Sequence, residues 1–145
     1  MASPDETRSK ELLHLLAENT NDVVWTMSVS GEITYVSPSV ERMRGITPDE
    51  AMRQTIDQIL TPESAAISLA YYQDLYAALA EGRRPPDNFR EELEYYCADG
   101  STVWTEVQAM PRYGPDGELL EILGVSRDIS ERRAQEAAVR EAQLE

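Results

Sequence analysis

Leu93-Glu94-Tyr95-Tyr96-Cys97, then Asp99-Gly100, then Val103-Trp104-Thr105-Glu106-Val107-Gln108-Ala109-Met110, then Gly114-Pro115-Asp116-Gly117 and the apolar run from Leu119 to Val125 form the stretch that decides the fold. Leu93, Tyr95 and Cys97 alternate with Glu92, Glu94 and Tyr96, and Val103, Thr105, Val107 and Ala109 alternate with Trp104, Glu106, Gln108 and Met110. Successive strand side chains point to opposite faces, so a period of two predicts half-buried strands. Asp-Gly and Gly-Pro-Asp-Gly favour tight turns. The stretch therefore predicts three consecutive antiparallel strands.

Upstream, Arg83-Arg84-Pro85-Pro86-Asp87 reads as a linker, and before it a long helix is predicted from about Thr61 to Glu81. Pro62 fits its first turn, Glu63 its positive end, and Gly82 its stop. Ala65, Leu69, Tyr72, Tyr76 and Leu79 form one stripe on it, and Ile67, Tyr71, Leu75 and Ala78 form a second roughly opposite. Val23 to Val29 and Ile33 to Val36, joined at Ser30-Gly31, predict a hairpin. Pro38-Ser39 opens a short helix that Gly45 ends, and Thr47-Pro48-Asp49-Glu50 carries a second start signal. Residues 5–18 have a helical apolar side made by Leu12, Leu13, Leu15, Leu16 and Ala17, and Asn19-Thr20-Asn21-Asp22 breaks it.

Downstream, a final helix is expected to begin at Asp128-Ile129-Ser130, with Ser130 as its cap. Its best heptad reading, Ser130, Ala134, Ala137, Glu141 and Leu144, suits either the start of a coiled coil or a solvated tail helix. The fold class is thus α+β, a five-stranded antiparallel sheet with helices on one face, flanked by N- and C-terminal helices. The expected organisation is a flanking helix over 1–19, a core over 20–130 and an exiting helix from 131 to 145.

The 145 residues suit one domain, and thirteen basic against twenty-seven acidic groups leave a net charge of −14. Such a field repels phosphate backbones and anionic lipid, which argues against nucleic-acid or membrane binding. A uniformly acidic surface also suits a salty cytoplasm. Cys97 is the single cysteine, which excludes an intrachain disulfide and a multi-cysteine metal site. The opening residues do not read as a signal peptide, and no apolar run of about 20 residues is present. The expected location is cytoplasmic, with any membrane anchor placed elsewhere in a parent protein.

In this order, the residues resemble a PAS domain of bacterial signalling proteins over about 12–133. The resemblance is carried by Asn19 to Trp25, Gly31 to Ser39, Gly45 to Glu50, Asp99-Gly100-Ser101 with Trp104, Pro111 ahead of Asp116-Gly117, and Gly124 to Arg133. It implies a sensory or dimerisation module tethered by helices to an output domain of the histidine kinase or diguanylate cyclase type. It also implies that Asp128-Ile129-Ser130 relays a signal from the last strand to the exiting helix, with Ser130 in place of the commoner Thr.

The sequence gives no reason to expect catalysis or a bound metal. The single histidine, His14, and Cys97 lack an orienting third group, so the chain reads as a non-enzyme. Heme relatives commonly ligate iron from a histidine in the long helix, and residues 61–81 contain none. Photosensory flavin relatives need a cysteine that residues 38–60 lack, and the positions similar to their flavin-holding amides are Tyr95, Thr105 and Ser126. Heme and flavin are therefore disfavoured, and an unknown small organic ligand is left as the expected occupant, if there is one.

The candidate ligand-binding residues are Trp25, Met27, Tyr72, Tyr76, Leu93, Tyr95, Thr105, Val107, Ile122 and Ser126, an apolar set with several hydroxyls. The same residues could instead fill their own core, leaving a ligand-free dimerisation module. A redox sensor at Cys97 is a weaker alternative, because its strand parity points inward. Trp104 and Met110 fall on the outer sheet face and imply cover, by Leu12, Leu13 and Leu16 of the first helix or by a second subunit of a homodimer.

Overall fold

A computed structural model describes residues 21–144. The strands are β1 (Val23–Met27), β2 (Ile33–Val36), β3 (Phe89–Tyr96), β4 (Thr102–Tyr113) and β5 (Leu119–Asp128). They form one sheet in the order β2-β1-β5-β4-β3, and every neighbouring pair is antiparallel. The first and last strands are therefore adjacent, so the start and the end of the core meet in mid-sheet.

The turns form where the sequence placed them. β1 stops at Met27, short of Val29, because Ser28 N–H donates to the Glu32 carbonyl and Gly31 N–H to the Ser28 carbonyl. Gly31, at φ +92°, supplies the left-handed residue this reversal needs. Between β3 and β4 the Asp99 carboxylate accepts from Ser101 N–H at 2.9 Å.

The helices are α1 (Val40–Arg44), α2 (Pro48–Met52), α3 (Ile56–Ile59), α4 (Pro62–Ala80) and α5 (Ser130–Leu144). Thr47 and Glu50 close a reciprocal capping box at the start of α2. α3 was not expected, yet Thr55 N–H donates to Gln58 Oε1 at 3.0 Å, so the same Thr-x-x-Glu/Gln spacing signals it.

α4 corrects the stripes read from the sequence. Its buried face carries Ser64, Ala65, Ser68, Leu75 and Ala78, whereas Leu69 and Ile67 are each 42% exposed. Ala65, Leu75 and Ala78 belong to the stripes, whereas the buried Ser64 and Ser68 do not, because apolar periodicity passes over polar residues. Ser64 Oγ accepts from Glu94 N–H at 2.8 Å and fastens the helix to β3. α1 to α4 pack on one face of the sheet, where Leu75, Leu93, Val107, Ala109 and Ile122 form the core centre. Val24 and Leu123 make a small second cluster on the opposite face with Tyr35 and Val125. The expected helix over 1–19, with Leu12, Leu13 and Leu16, lies outside the described residues.

Candidate ligand cavity

A cavity of about 670 Å³ lies between the inner sheet face and α1 to α4. That volume falls within the range of small-molecule sites. Of the candidate residues, Trp25, Met27, Leu93, Tyr95 and Val107 line it from the sheet, and Tyr72 and Tyr76 from α4. Its mouth includes Ser30, Gly31 and Glu32 of the β1–β2 turn together with Arg53 and Thr55. Tyr76 O–H donates to the Val29 carbonyl at 2.9 Å and ties α4 to that turn.

Thr105, Ile122 and Ser126 have the right strand parity but do not line the cavity. All three are fully buried behind the wall residues. Trp25 Nε1–H donates to Ser126 Oγ at 3.1 Å, and Tyr95 and Ser126 share a hydroxyl hydrogen bond of 2.8 Å. Thr105 Oγ1 donates to the Leu93 carbonyl at 2.9 Å. The large rings of β1 and β3 thus roof over the small side chains of β4 and β5. Burial pushes the Tyr95 phenol above its ordinary pKa. Tyr95→Phe removes one of two bonds at Ser126 and leaves Trp25 to satisfy it. The expected loss is about 1 kcal/mol, read as a lower urea midpoint at unchanged m.

The wall made by the short helices was not anticipated. Met43, Arg44, Met52, Gln54, Ile56 and Ile59 all face the cavity. Arg44 is 5% exposed, its Nε donates to the Tyr96 carbonyl at 2.7 Å, and its guanidinium carbon stands 5.7 Å from the Tyr95 ring centre. Among the described residues no carboxylate lies within 4.0 Å of it. Burial holds its pKa below the ordinary arginine value. Gln54 Oε1 is buried and has no hydrogen-bond partner. The signal for Arg44 was its spacing: four residues after Val40, it shares that residue's inward side. Cys97 is half-buried, with Sγ 3.8 Å from the Met43 carbonyl, and does not line the cavity. Among the described residues no group of three metal-ligating side chains occurs.

At the far end of β5 the chain leaves the sheet through a set of fixed contacts. Asp128 Oδ1 accepts from Ser130 N–H at 2.8 Å, and Ile129 is buried with its N–H on the Trp104 carbonyl at 2.9 Å. The cap expected of Ser130 therefore comes from Asp128, and Ser130 is the first helical residue. The Arg133 guanidinium stacks 3.9 Å from the Trp104 ring centre, and Arg132 and Arg133 each reach Glu92 at 2.7 Å. Trp104, half-buried on the outer face with Met110, thus receives cover from α5 itself. Among the described residues no helix is long and apolar enough to cross a membrane.

A family model described as the PAS fold matches residues 11–129. The chain is 28% identical over 102 residues to the bacterioopsin transcriptional activator of Halobacterium salinarum, covering 70% of this chain and 14% of that protein. It also superposes on a sensory box histidine kinase/response regulator from Burkholderia thailandensis with TM-score 0.65 and 21% identity, covering 90% of this chain and 94% of that one. The N-terminal domain of a diguanylate cyclase with PAS/PAC sensor from Marinobacter aquaeolei matches with TM-score 0.60 and 17% identity, over 77% and 98% of the two chains.

Proposed function

The chain belongs to the PAS family of sensory domains, and we propose that it is a non-catalytic module that converts small-ligand binding into a change at its exiting helix. The observation that carries this reading is continuity. Trp25 and Tyr95 face the cavity on one side and hold Ser126 on the other, and Ser126 stands two residues before Asp128 in β5. A ligand that moves either ring bears on the strand whose end caps α5. The coupling is bounded by the ligand's difference in affinity for the two states.

In this reading residues 20–130 are the sensing core, 1–19 a flanking helix, and 131–145 the start of the connection to an output domain of the histidine kinase or diguanylate cyclase type. Leu12, Leu13, Leu16, Trp104 and Met110 are the proposed dimer or flanking-helix interface. The location is cytoplasmic, and the cavity ligand is neither heme nor flavin. The cavity favours ligand sensing over a ligand-free dimerisation module or a redox role for Cys97.

The capping geometry gives an unequal pair of variants to test. Asp128→Ala in the intact signalling protein removes the cap acceptor, is expected to weaken the first turn of α5 by about 1 kcal/mol, and should change regulated output several-fold. Ser130→Ala keeps the backbone donor and should change it much less. Output measured in both variants decides: regulation untouched by Asp128→Ala removes this junction as the relay.

A further inference from the structure

We propose that the cavity takes an anionic ligand, an organic acid with an apolar body, and that its carboxylate pairs with Arg44. The inference rests on the sensory reading above and names the ligand class of the same site. An arginine cannot shed its charge at working pH, so burying one is costly unless hydrogen bonds and an opposite charge compensate. Arg44 is 5% exposed, lines the cavity, and has one side-chain hydrogen bond, from Nε to the Tyr96 carbonyl. Its guanidinium has four further N–H donors, and no carboxylate among the described residues comes within 4.0 Å. The Tyr95 ring at 5.7 Å offsets part of the charge but accepts no fork of two hydrogen bonds.

A second observation falls on the same helical wall. Gln54 Oε1 is buried, lines the cavity and has no partner. Buried side-chain oxygens in native structures are rarely left so. A carboxylate at Arg44 and a ligand N–H or O–H at Gln54 would satisfy both. Met27, Met43, Ile56, Ile59 and Leu93 are part of the lining around them, which suits an apolar body and tolerates shape through the flexible thioethers.

The test titrates the domain with octanoate and with 1-octanol by calorimetry, two flexible probes of equal chain length that differ in charge. The wild-type protein should bind octanoate roughly ten- to a hundred-fold more tightly, the range of a charge-assisted pair over a neutral one. Arg44→Met should erase that preference while octanol still binds, and Arg44→Lys should retain part of it. The wild-type ratio needs no variant, so a failure of Arg44→Met to fold leaves the proposal open to refutation. Equal affinities in the wild-type protein, or a preference that survives in Arg44→Met, overturn the anionic ligand and leave the cavity as a sensor site for neutral molecules. Binding of neither probe overturns the sensory cavity and this inference together.

Discussion

Gly124→Ala is expected to destabilise the domain by about 2 kcal/mol and to weaken ligand binding at least tenfold. Alanine in place of a strand glycine normally helps by about 0.4–1 kcal/mol, because it restricts the unfolded chain. The opposite sign here has a specific cause. Gly124 pairs with Trp25 across β1 and β5, and the indole ring occupies the space a side chain would take there. A Cβ built on Gly124 would stand 2.0 Å from both Cε2 and Cζ2 of Trp25, so the ring has to leave. Its open direction is the cavity it already lines, and moving there breaks the bond from Nε1 to Ser126 and occupies ligand space. Urea unfolding gives the stability change, and indole fluorescence gives the ring's new surroundings. An unchanged or raised midpoint with an unshifted emission band would mean that Trp25 is not held against Gly124.

Gly124 also marks how far the sequence could be read. Period-two alternation, the Ser-Gly and Asp-Gly turns, and the Thr-Pro and Gly signals around the helices located the described strands and most of the described helices, because those are local effects of backbone geometry. Strand parity put Thr105, Ile122 and Ser126 on the inner face, and that is where they lie. Parity cannot say that Trp25 and Tyr95 reach across and cover them, since this depends on ring size and on the missing side chain at Gly124 in a neighbouring strand. The buried face of α4 was read only in part for a related reason: Ser64 and Ser68 look polar until β3 supplies a partner for Ser64. Arg44 escaped notice because a charged residue in a five-residue helix ordinarily points to water. Only the packing of α1 against the sheet turns it inward. A void of about 670 Å³ is a property of all these elements together, and no segment encodes it alone.

The second large effect concerns Arg127, and it should be asymmetric. Asp22 immediately precedes β1 and faces Arg127 of β5, with Nε to Oδ1 at 3.3 Å and Nη2 to Oδ2 at 3.2 Å. The two side chains differ in exposure, 2% for Asp22 against 39% for Arg127. Arg127→Met keeps most of the aliphatic stem but strands a buried carboxylate, and the expected loss is about 3 kcal/mol. Asp22→Ala leaves an arginine that is already 39% exposed and can turn toward water, so its loss should be smaller, about 1–2 kcal/mol. The double variant should lie close to Arg127→Met or above it in stability, because removing the orphaned carboxylate relieves the penalty. Urea midpoints of the three proteins measure this directly. Equal single losses that add in the double variant would mean that the pair contributes nothing through its burial.

The consequence reaches beyond stability. The Asp22 carbonyl accepts from Ser39 Oγ at 2.7 Å, Ser39 meets Ser37 at 2.8 Å, and Ser37 Oγ accepts from Val24 N–H at 2.9 Å. Asp22 therefore joins the start of β1 and, through its carbonyl, the first turn of α1 to Arg127, the residue just ahead of Asp128, which its carboxylate holds. Arg127→Met should accordingly increase hydrogen exchange at Val24 and at Ile129 together, while Phe89 and Leu93, on β3 at the edge of the sheet two strands from β5, keep their protection. Loss of protection at Val24 alone would separate the start of the core from its exit and confine the pair to a structural role.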